Sequence, residues 1–440
     1  MSKRWLSAVA AAVIAAVGIT ACGGSSSSDG GAAGSTGSST GALPSFAKVP
    51  YVAPKTGCGS YDTPAPKDPE GALSEIPASA RANYGAYNVA SSTGEDSNFV
   101  KSAWANWKPD HAPPYKVAIS WGQLVSDWQV QMTTLLKQQL EASPLVGKGN
   151  VEMATTGSNL DTGQQLQQFN AMVDRHPDLI IAQVLSPGAF RDSVDRAGKM
   201  GIPTVFVQGV LTDQYSVGVD GNNYLNAADV ASYMAQAAGG KGTWLNVLAL
   251  AGSSIDQLTQ MAVESVVENC PGMEIGKDAA YGGFSDAQAK SETLKYLATH
   301  PGKIDLVMQT AAMAPGVMKA FEQSGRPMPI VADVGLSKGS MGYFREHQAG
   351  GYHSAGGSVN PAPFSRATTE VSLRILQGQG PKINAIVDRI PSVNDANIQQ
   401  DADPAWKLET PGVYVGTRDE FLTAKYLDQF FNKPGPAQFK

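Results

Sequence analysis

Residues 178–208 read DLIIAQVLSPGAFRDSVDRAGKMGIPTVFVQ. The stretch opens on an apolar run, Asp178–Gln183, and closes on another, Pro203–Gln208. Short apolar, β-branched runs of this kind fit strands buried on both faces. Between them Ala189–Met200 predicts a helix. Two such strands joined by a helix imply a right-handed βαβ crossover and a parallel sheet.

The pattern extends in both directions. Upstream lie a strand Lys116–Trp121 (KVAISW), a helix Trp128–Ala142, a strand Asn150–Thr155 and a helix Gln164–Arg175. Downstream, Tyr215–Val219 is a short strand, and after Asp220-Gly221-Asn222 the rhythm restarts. Helices over Tyr224–Ala238, Asp256–Glu268, Asp286–Thr299 and Gly316–Ser324 alternate with strands over Trp244–Leu250, Glu274–Gly282, Ile304–Gln309 and Pro329–Asp333. The halves repeat. His176-Pro177 is followed 25 residues later by Gly201, and His300-Pro301 by Gly325 at the same interval. Each His-Pro pair precedes an apolar strand ending in Gln, Gln183 or Gln309. The body is therefore α/β, with two similar lobes over 113–222 and 223–357.

The flanks are different. Lys3 and Arg4 precede an apolar run from Trp5 to Ile19, too short for a spanning helix and normal for a signal-peptide core. Ile19-Thr20-Ala21-Cys22 then resembles a bacterial lipobox, so 1–21 reads as a lipoprotein signal and Cys22 as the lipidated residue. The Gly/Ser-rich segment 22–42 cannot bury surface and reads as a flexible tether, about 25 Å root-mean-square end to end. Residues 43–112 are rich in Pro and Gly and read as an extension packed on the body, with one short helix over Phe99–Trp107. Cys58 and Cys270 remain; in an exported protein they form either a disulfide or two buried thiols.

Lys+Arg total 33 against Asp+Glu 39, a net charge of −6, which leaves no basic footprint for nucleic acid. In doubly wound sheets ligands bind outside the carboxyl ends of strands. Those ends supply Trp121, Gln123, Gln183, Ser186 and Gln208 from lobe 1, with Asp127 and Trp128 in the first loop. Lobe 2 supplies Ser253, Ser254, Phe284, Gln309, Thr310 and Asp333. Flat rings with amides, hydroxyls and few charges suit a small neutral polyol.

From Tyr115 to about Gln379 the chain resembles the type I periplasmic sugar-binding proteins, the ribose-binding-like family of ABC importers. The likeness rests on KVAISWGQLVSDWQVQM (116–132), residues 178–208, VGVDGNN (217–223), LALAGSS (248–254), YGGFSDAQAK (281–290), LVMQTAAMAPGVMKAFEQSG (306–325) and PIVADVG (329–335). It implies two Rossmann-like lobes with a three-segment hinge near Asp220–Tyr224, Gly356–Asn360 and Asn384–Arg389. Lobe 1 then takes in about 360–383, and lobe 2 about 384–440. It also implies ligand contacts from Asp127, Trp128, Phe284 and Asp333. Where the family often carries Asp-Arg after the fourth strand, this chain has Gln208-Gly209. Gln257 stands nearest a common sugar-binding Arg, and Thr310-Ala311 replaces Asn-Asp. The implied partners are a small solute, a separate permease and its ATPase; no cofactor is implied, and the protein reads as a monomer.

Enzyme readings have weaker support. Gly335-Leu336-Ser337-Lys338-Gly339 fits a hydrolase elbow, but only His347 and His353 follow it, within 16 residues of Ser337. The five histidines and three cysteines show no metal-ligand spacing. A sensory receptor of the same fold remains an alternative to a transport component.

Overall fold

Alternation along the first strands sets the architecture. In a computed structural model, which describes residues 51–89, 98–157, 161–184, 186–251, 253–357, 359–416 and 420–437, five strands open the body. They are β1 (Val117–Gln123), β2 (Val151–Gly157), β3 (Leu179–Gln183), β4 (Thr204–Val207) and β5 (Ser216–Gly221). Val117, Ile119, Leu179, Ile181, Val205 and Val207 pack on one face, against helices Asp127–Ala142 and Pro361–Leu376. The intervening Ala118, Ile180, Ala182 and Phe206 pack on the other, with residues of helices Thr162–Asp174 and Arg191–Lys199. A strand with two apolar faces has to be sandwiched, and helices on both sides sandwich it.

Lobe 2 repeats the plan with β6 (Lys241–Leu248), β7 (Gly272–Ile275), β8 (Ala280–Tyr281), β9 (Leu306–Gln309) and β10 (Ile330–Val331). The single strand expected over Glu274–Gly282 is two: β7 pairs with the start of β6 and β8 with its end. Leu245 and Val247 face one helix layer and Trp244 the other. Three short strands follow, β11 (Gly356–Gly357), β12 (Ala385–Asp388) and β13 (Ser392–Val393).

Lobe 1 has the parallel order β12-β5-β4-β3-β1-β2, and lobe 2 the order β10-β9-β6 with β7 and β8 beyond. The chain passes between the sheets after β5, after β11 and after β12. The second passage is tight: a Cβ on Gly356 would lie 2.1 Å from the Asp333 carbonyl oxygen, and one on Gly357 2.1 Å from Asn226 Oδ1.

Residues 384–440 do not all belong to lobe 2, as the sequence had suggested. β12 is the sixth strand of the lobe 1 sheet, because its apolar Ala385, Ile386 and Val387 cover the β5 edge. Phe421, Leu422, Leu427, Phe430 and Phe431 also pack into the lobe 1 core. There Arg374, fully buried, is met by Glu370 and Asp428 at 2.7 and 2.8 Å. The intervening residues pack with lobe 2: Val393, Ile398, Ala402 and Tyr414 around Leu336, Met341 and Phe344, and Leu408 with the core around Leu245 and Val307.

The extension touches both lobes. Cys58 is disulfide-bonded to Cys270. Tyr61 Oη donates to Asp229 at 2.7 Å, and the Asp62 amide to Ser265 at 2.8 Å. Further along, Tyr84, Phe99 and Trp104 enter the lobe 1 core. The helix expected over Phe99–Trp107 shrinks to one 3₁₀ turn, Ala103–Asn106, since Lys101 pairs with Ile383 instead. The signal 1–21, Cys22 and the tether 22–42 lie outside the described residues. No described helix is long and apolar enough to cross a membrane.

Candidate functional site

Gln123 and Gln183 end β1 and β3, Gln208 follows β4, and all three residues line a cleft of about 460 Å³ between the lobes. That volume suits a small polar molecule. A capping box fixes the first wall: Ser126 accepts from the Gln129 amide, while Gln129 Oε1 accepts the Ser126 amide at 3.2 Å. The next helix therefore presents Asp127 and Trp128 to the cleft in its first turn. Trp128 is anchored further, its indole N–H donating to the Val359 carbonyl at 2.6 Å.

The opposite wall is built by similar local devices. Buried Asp256 accepts the Ala249 and Leu250 amides at 2.9 and 2.7 Å and the Ser253 hydroxyl at 2.7 Å, setting Ser253 and Ser254 at the rim. Gly282-Gly283 turns sharply, with amides donating to Leu248 and Ala249 carbonyls at 2.7 and 3.0 Å, and delivers Phe284. Asp286 follows, accepting the Gly316 amide at 3.2 Å. Burial raises its pKa, and the facing Asp127 adds to the shift.

Backbone strain gathers at the same place. Gln208, Phe284, Ala311 and Ala312 line the cleft with φ of 57, 60, 59 and 59°. Side-chain-bearing residues in the left-handed region cost free energy, and such strain clusters at ligand sites.

Of the residues expected at the site, Gln123, Asp127, Trp128, Gln183, Gln208, Ser253, Ser254 and Phe284 line the cleft. The others do not. Trp121 is fully buried in the lobe 1 core, where its strand alternation sends it with Ile119. Ser186 precedes the 3₁₀ turn Pro187–Phe190 and Gln257 sits on helix Ser254–Glu268; neither reaches the cleft wall. Gln309 is fully buried, donating to the Val334 carbonyl at 3.0 Å and accepting the Met313 amide at 2.9 Å. Thr310 is buried beside it. Asp333 is buried as well. Its carboxylate accepts the Ser337 amide at 3.0 Å and the Ser340 hydroxyl, closing the turn after β10. Burial pushes Asp333 up to about 7.

Ser337 lines the cleft, but its Oγ donates to the Ala312 carbonyl at 3.2 Å. The histidines that follow it bond elsewhere: His347 Nδ1 to the Tyr343 carbonyl at 2.9 Å, His353 Nδ1 to Asp395 at 3.0 Å. Among the described residues no cluster of potential metal ligands occurs.

Sequence reasoning missed several wall residues. Arg191, whose Nη1 donates to the Thr212 carbonyl at 2.6 Å, begins a helix and carried no strand-end signal. Asp220 and Asn223 read only as a turn between lobes, and Asp286 only as a helix start. Tyr87 comes from the extension, and Gly412 and Val413 from the C-terminal stretch packed on lobe 2, carried in by pairing of Val413 with Ser337. No periodicity marks such long-range arrivals.

Two lobes of parallel α/β layers with a polar, aromatic-lined cleft between their strand ends define a class, the two-lobed solute binders. The family described as periplasmic binding protein domain matches residues 117–380, more than half of the chain, and the chain belongs to that family. No curated protein matches the chain. Among solved structures, an ABC transporter solute-binding protein from Thermobispora bispora is similar, with TM-score 0.58 and 18% identity over 67% of this chain and 93% of that one. One from Mycobacterium smegmatis with bound glycerol gives TM-score 0.58 and 16% identity over 69% and 100%. One from Bacillus halodurans with bound myo-inositol gives 0.57 and 16% over 66% and 98%. At such identities these likenesses establish the fold.

Proposed function

We propose that this protein captures a neutral sugar or polyol and hands it to the permease of an ABC importer, working from a lipid anchor at Cys22. The carrying observation is the cleft. The rings of Trp128 and Phe284 stand on opposite lobes, in a wall that also includes Gln123, Gln183, Gln208, Ser253 and Ser254. Rings cover the apolar faces of a sugar, while amides and carboxylates hold its hydroxyls. The charged wall residues are Asp127, Asp220 and Asp286 with Arg191, a balance that disfavours anionic solutes. The relatives' bound glycerol and myo-inositol support the same ligand class. Capture works by hinge closure at the passages between lobes, after which the permease recognises the closed form.

A thermal-shift screen of glycerol, myo-inositol, D-glucose, D-ribose and D-fructose tests the ligand class, since a ligand at 100 times its Kd adds about 2.7 kcal/mol. A protein that none of them stabilises, and that none binds by calorimetry, sinks the sugar reading. Membrane fractionation of Cys22→Ser tests the anchor: release or failed processing is expected, and unchanged attachment refutes it.

A further inference from the structure

The matched domain begins at residue 117, yet the cleft wall includes Tyr87. The extension holds this ring firmly. Asn222 Nδ2 donates to the carbonyls of Asn83 and Gly85, both at 2.8 Å. Tyr84 Oη donates to the Ala385 carbonyl at 2.8 Å. Ala86, with φ 55°, makes the turn that presents Tyr87, and its amide donates to the Pro64 carbonyl at 2.7 Å. The Tyr87 ring then rests on Phe99, with centroids 6.2 Å apart. Its hydroxyl donates to Asp220 Oδ2 at 2.6 Å, while Asp220 Oδ1 accepts the Gly221 amide at 2.8 Å. Tyr87 and Asp220 are both buried, and both line the cleft.

We propose that Tyr87, supplied from outside the family domain, is a specificity-determining residue that forms with Asp220 a hydroxyl-binding pair at the lobe 1 side of the cleft. This rests on the sugar or polyol reading. A phenol that donates to a carboxylate keeps acceptor capacity on its oxygen, and the carboxylate oxygens keep free lone pairs. A ligand hydroxyl placed there meets two acceptors in fixed geometry, and the ring face limits how bulky the ligand is on that side. Specificity follows because a buried polar pair left without its hydroxyl partner penalises ligands that lack one.

The test is calorimetric titration of wild type, Tyr87→Phe and Tyr84→Phe with the five compounds named above. Tyr84→Phe removes a neighbouring buried phenol that does not line the cleft, so it reports what loosening the extension does by itself. Tyr87→Phe is expected to weaken the tightest-binding compound about 10-fold and to change the order of affinities across the panel. Tyr84→Phe is expected to lower the melting temperature and keep both Kd and order. Tyr87→Phe binding every compound within about twofold of wild type, or both variants weakening all compounds equally, overturns the proposal while the sugar reading stands. A wild type that binds none of the five overturns the sugar reading and this proposal with it.

Discussion

Gln183 ends β3 of lobe 1 and Gln309 ends β9 of lobe 2, and Asp220 and Asp333 lie near the ends of later strands. The two lobes use these residues in different ways. In lobe 1 Gln183 and Asp220 face the cleft. In lobe 2 Gln309 bonds to Val334 and Met313, and Asp333 caps the turn at Ser337 and Ser340. Lobe 2 instead offers the cleft its backbone turns, at Phe284 and at Ala311-Ala312. A polar residue at a strand end has two uses, and what decides between them is the loop that follows. The long loop after β10 has amides that need an acceptor, and Asp333 is the acceptor within reach.

The largest effect separates how the lobes hold the extension. Lobe 2 holds it covalently, through a disulfide with a sequence separation of 212, whereas lobe 1 holds it by packing and hydrogen bonds, with no covalent link among the described residues. Closing so long a loop stabilises by about 5 kcal/mol or slightly more in the chain-entropy account. The double variant Cys58→Ser with Cys270→Ser should lose that much in denaturant unfolding, with ligand affinity little changed. A loss under about 1 kcal/mol would show that packing on lobe 2 suffices.

Next comes Asp333 against the cleft carboxylates. Asp333→Ala leaves the Ser337 amide without its acceptor in a buried place, so a stability loss of about 3 kcal/mol is expected. Asp127→Ala should barely change stability and should weaken ligand binding about 10-fold. If Asp333→Ala folds normally and loses affinity instead, the contrast between the lobes is wrong.

How far the sequence carried this reading follows from the same contrast. The alternation of strands and helices along the chain and the repetition of the lobes were legible because the strands of the first sheet are apolar on both faces, and Val117–Trp121 or Leu179–Gln183 can hardly be anything else. Trp128 and Phe284 were legible because a ring just past a strand end has few other places to go. Asp333 misled because its bonding partners, Ser337 and Ser340, lie in the following turn and helix. Tyr87 and Val413 were invisible, since they arrive from chain far outside the repeating pattern. β12 was misassigned for a related reason: its neighbour β5 is more than 160 residues earlier in the chain.

Trp128 and Phe284 sharpen the comparison from the ligand's side, because each comes from one lobe. Phe284→Ala and Trp128→Ala should each weaken binding about 10- to 100-fold through lost ring contact. Trp128→Ala should also cost some stability, since its indole N–H ties the first helix to Val359. Equal stability losses in the two variants would mean that Phe284 is as much a packing residue as Trp128.

A further test concerns acidity: whether two buried aspartates with the same shift do different work. Burial pushes Asp220 and Asp333 each up to about 7, against an ordinary value near 3.9 in an unfolded chain. A carboxyl raised on folding favours the folded state in its protonated form. The stability it supports is therefore fully present below about pH 4 and is lost as the pH rises towards 7. Wild type should melt at progressively lower temperature across that window. Asp220→Asn and Asp333→Asn should each flatten part of the slope, because neither amide ionises. Affinity for the bound sugar should tell them apart. In wild type and Asp333→Asn it should vary between pH 5 and 8 if Asp220 contacts the ligand as proposed, because it then gains an acceptor site there as it ionises. In Asp220→Asn that variation should disappear. Melting curves and calorimetric Kd values at four pH points decide the matter. A pH-dependent Kd that survives Asp220→Asn but vanishes in Asp333→Asn would exchange the roles assigned to the two residues.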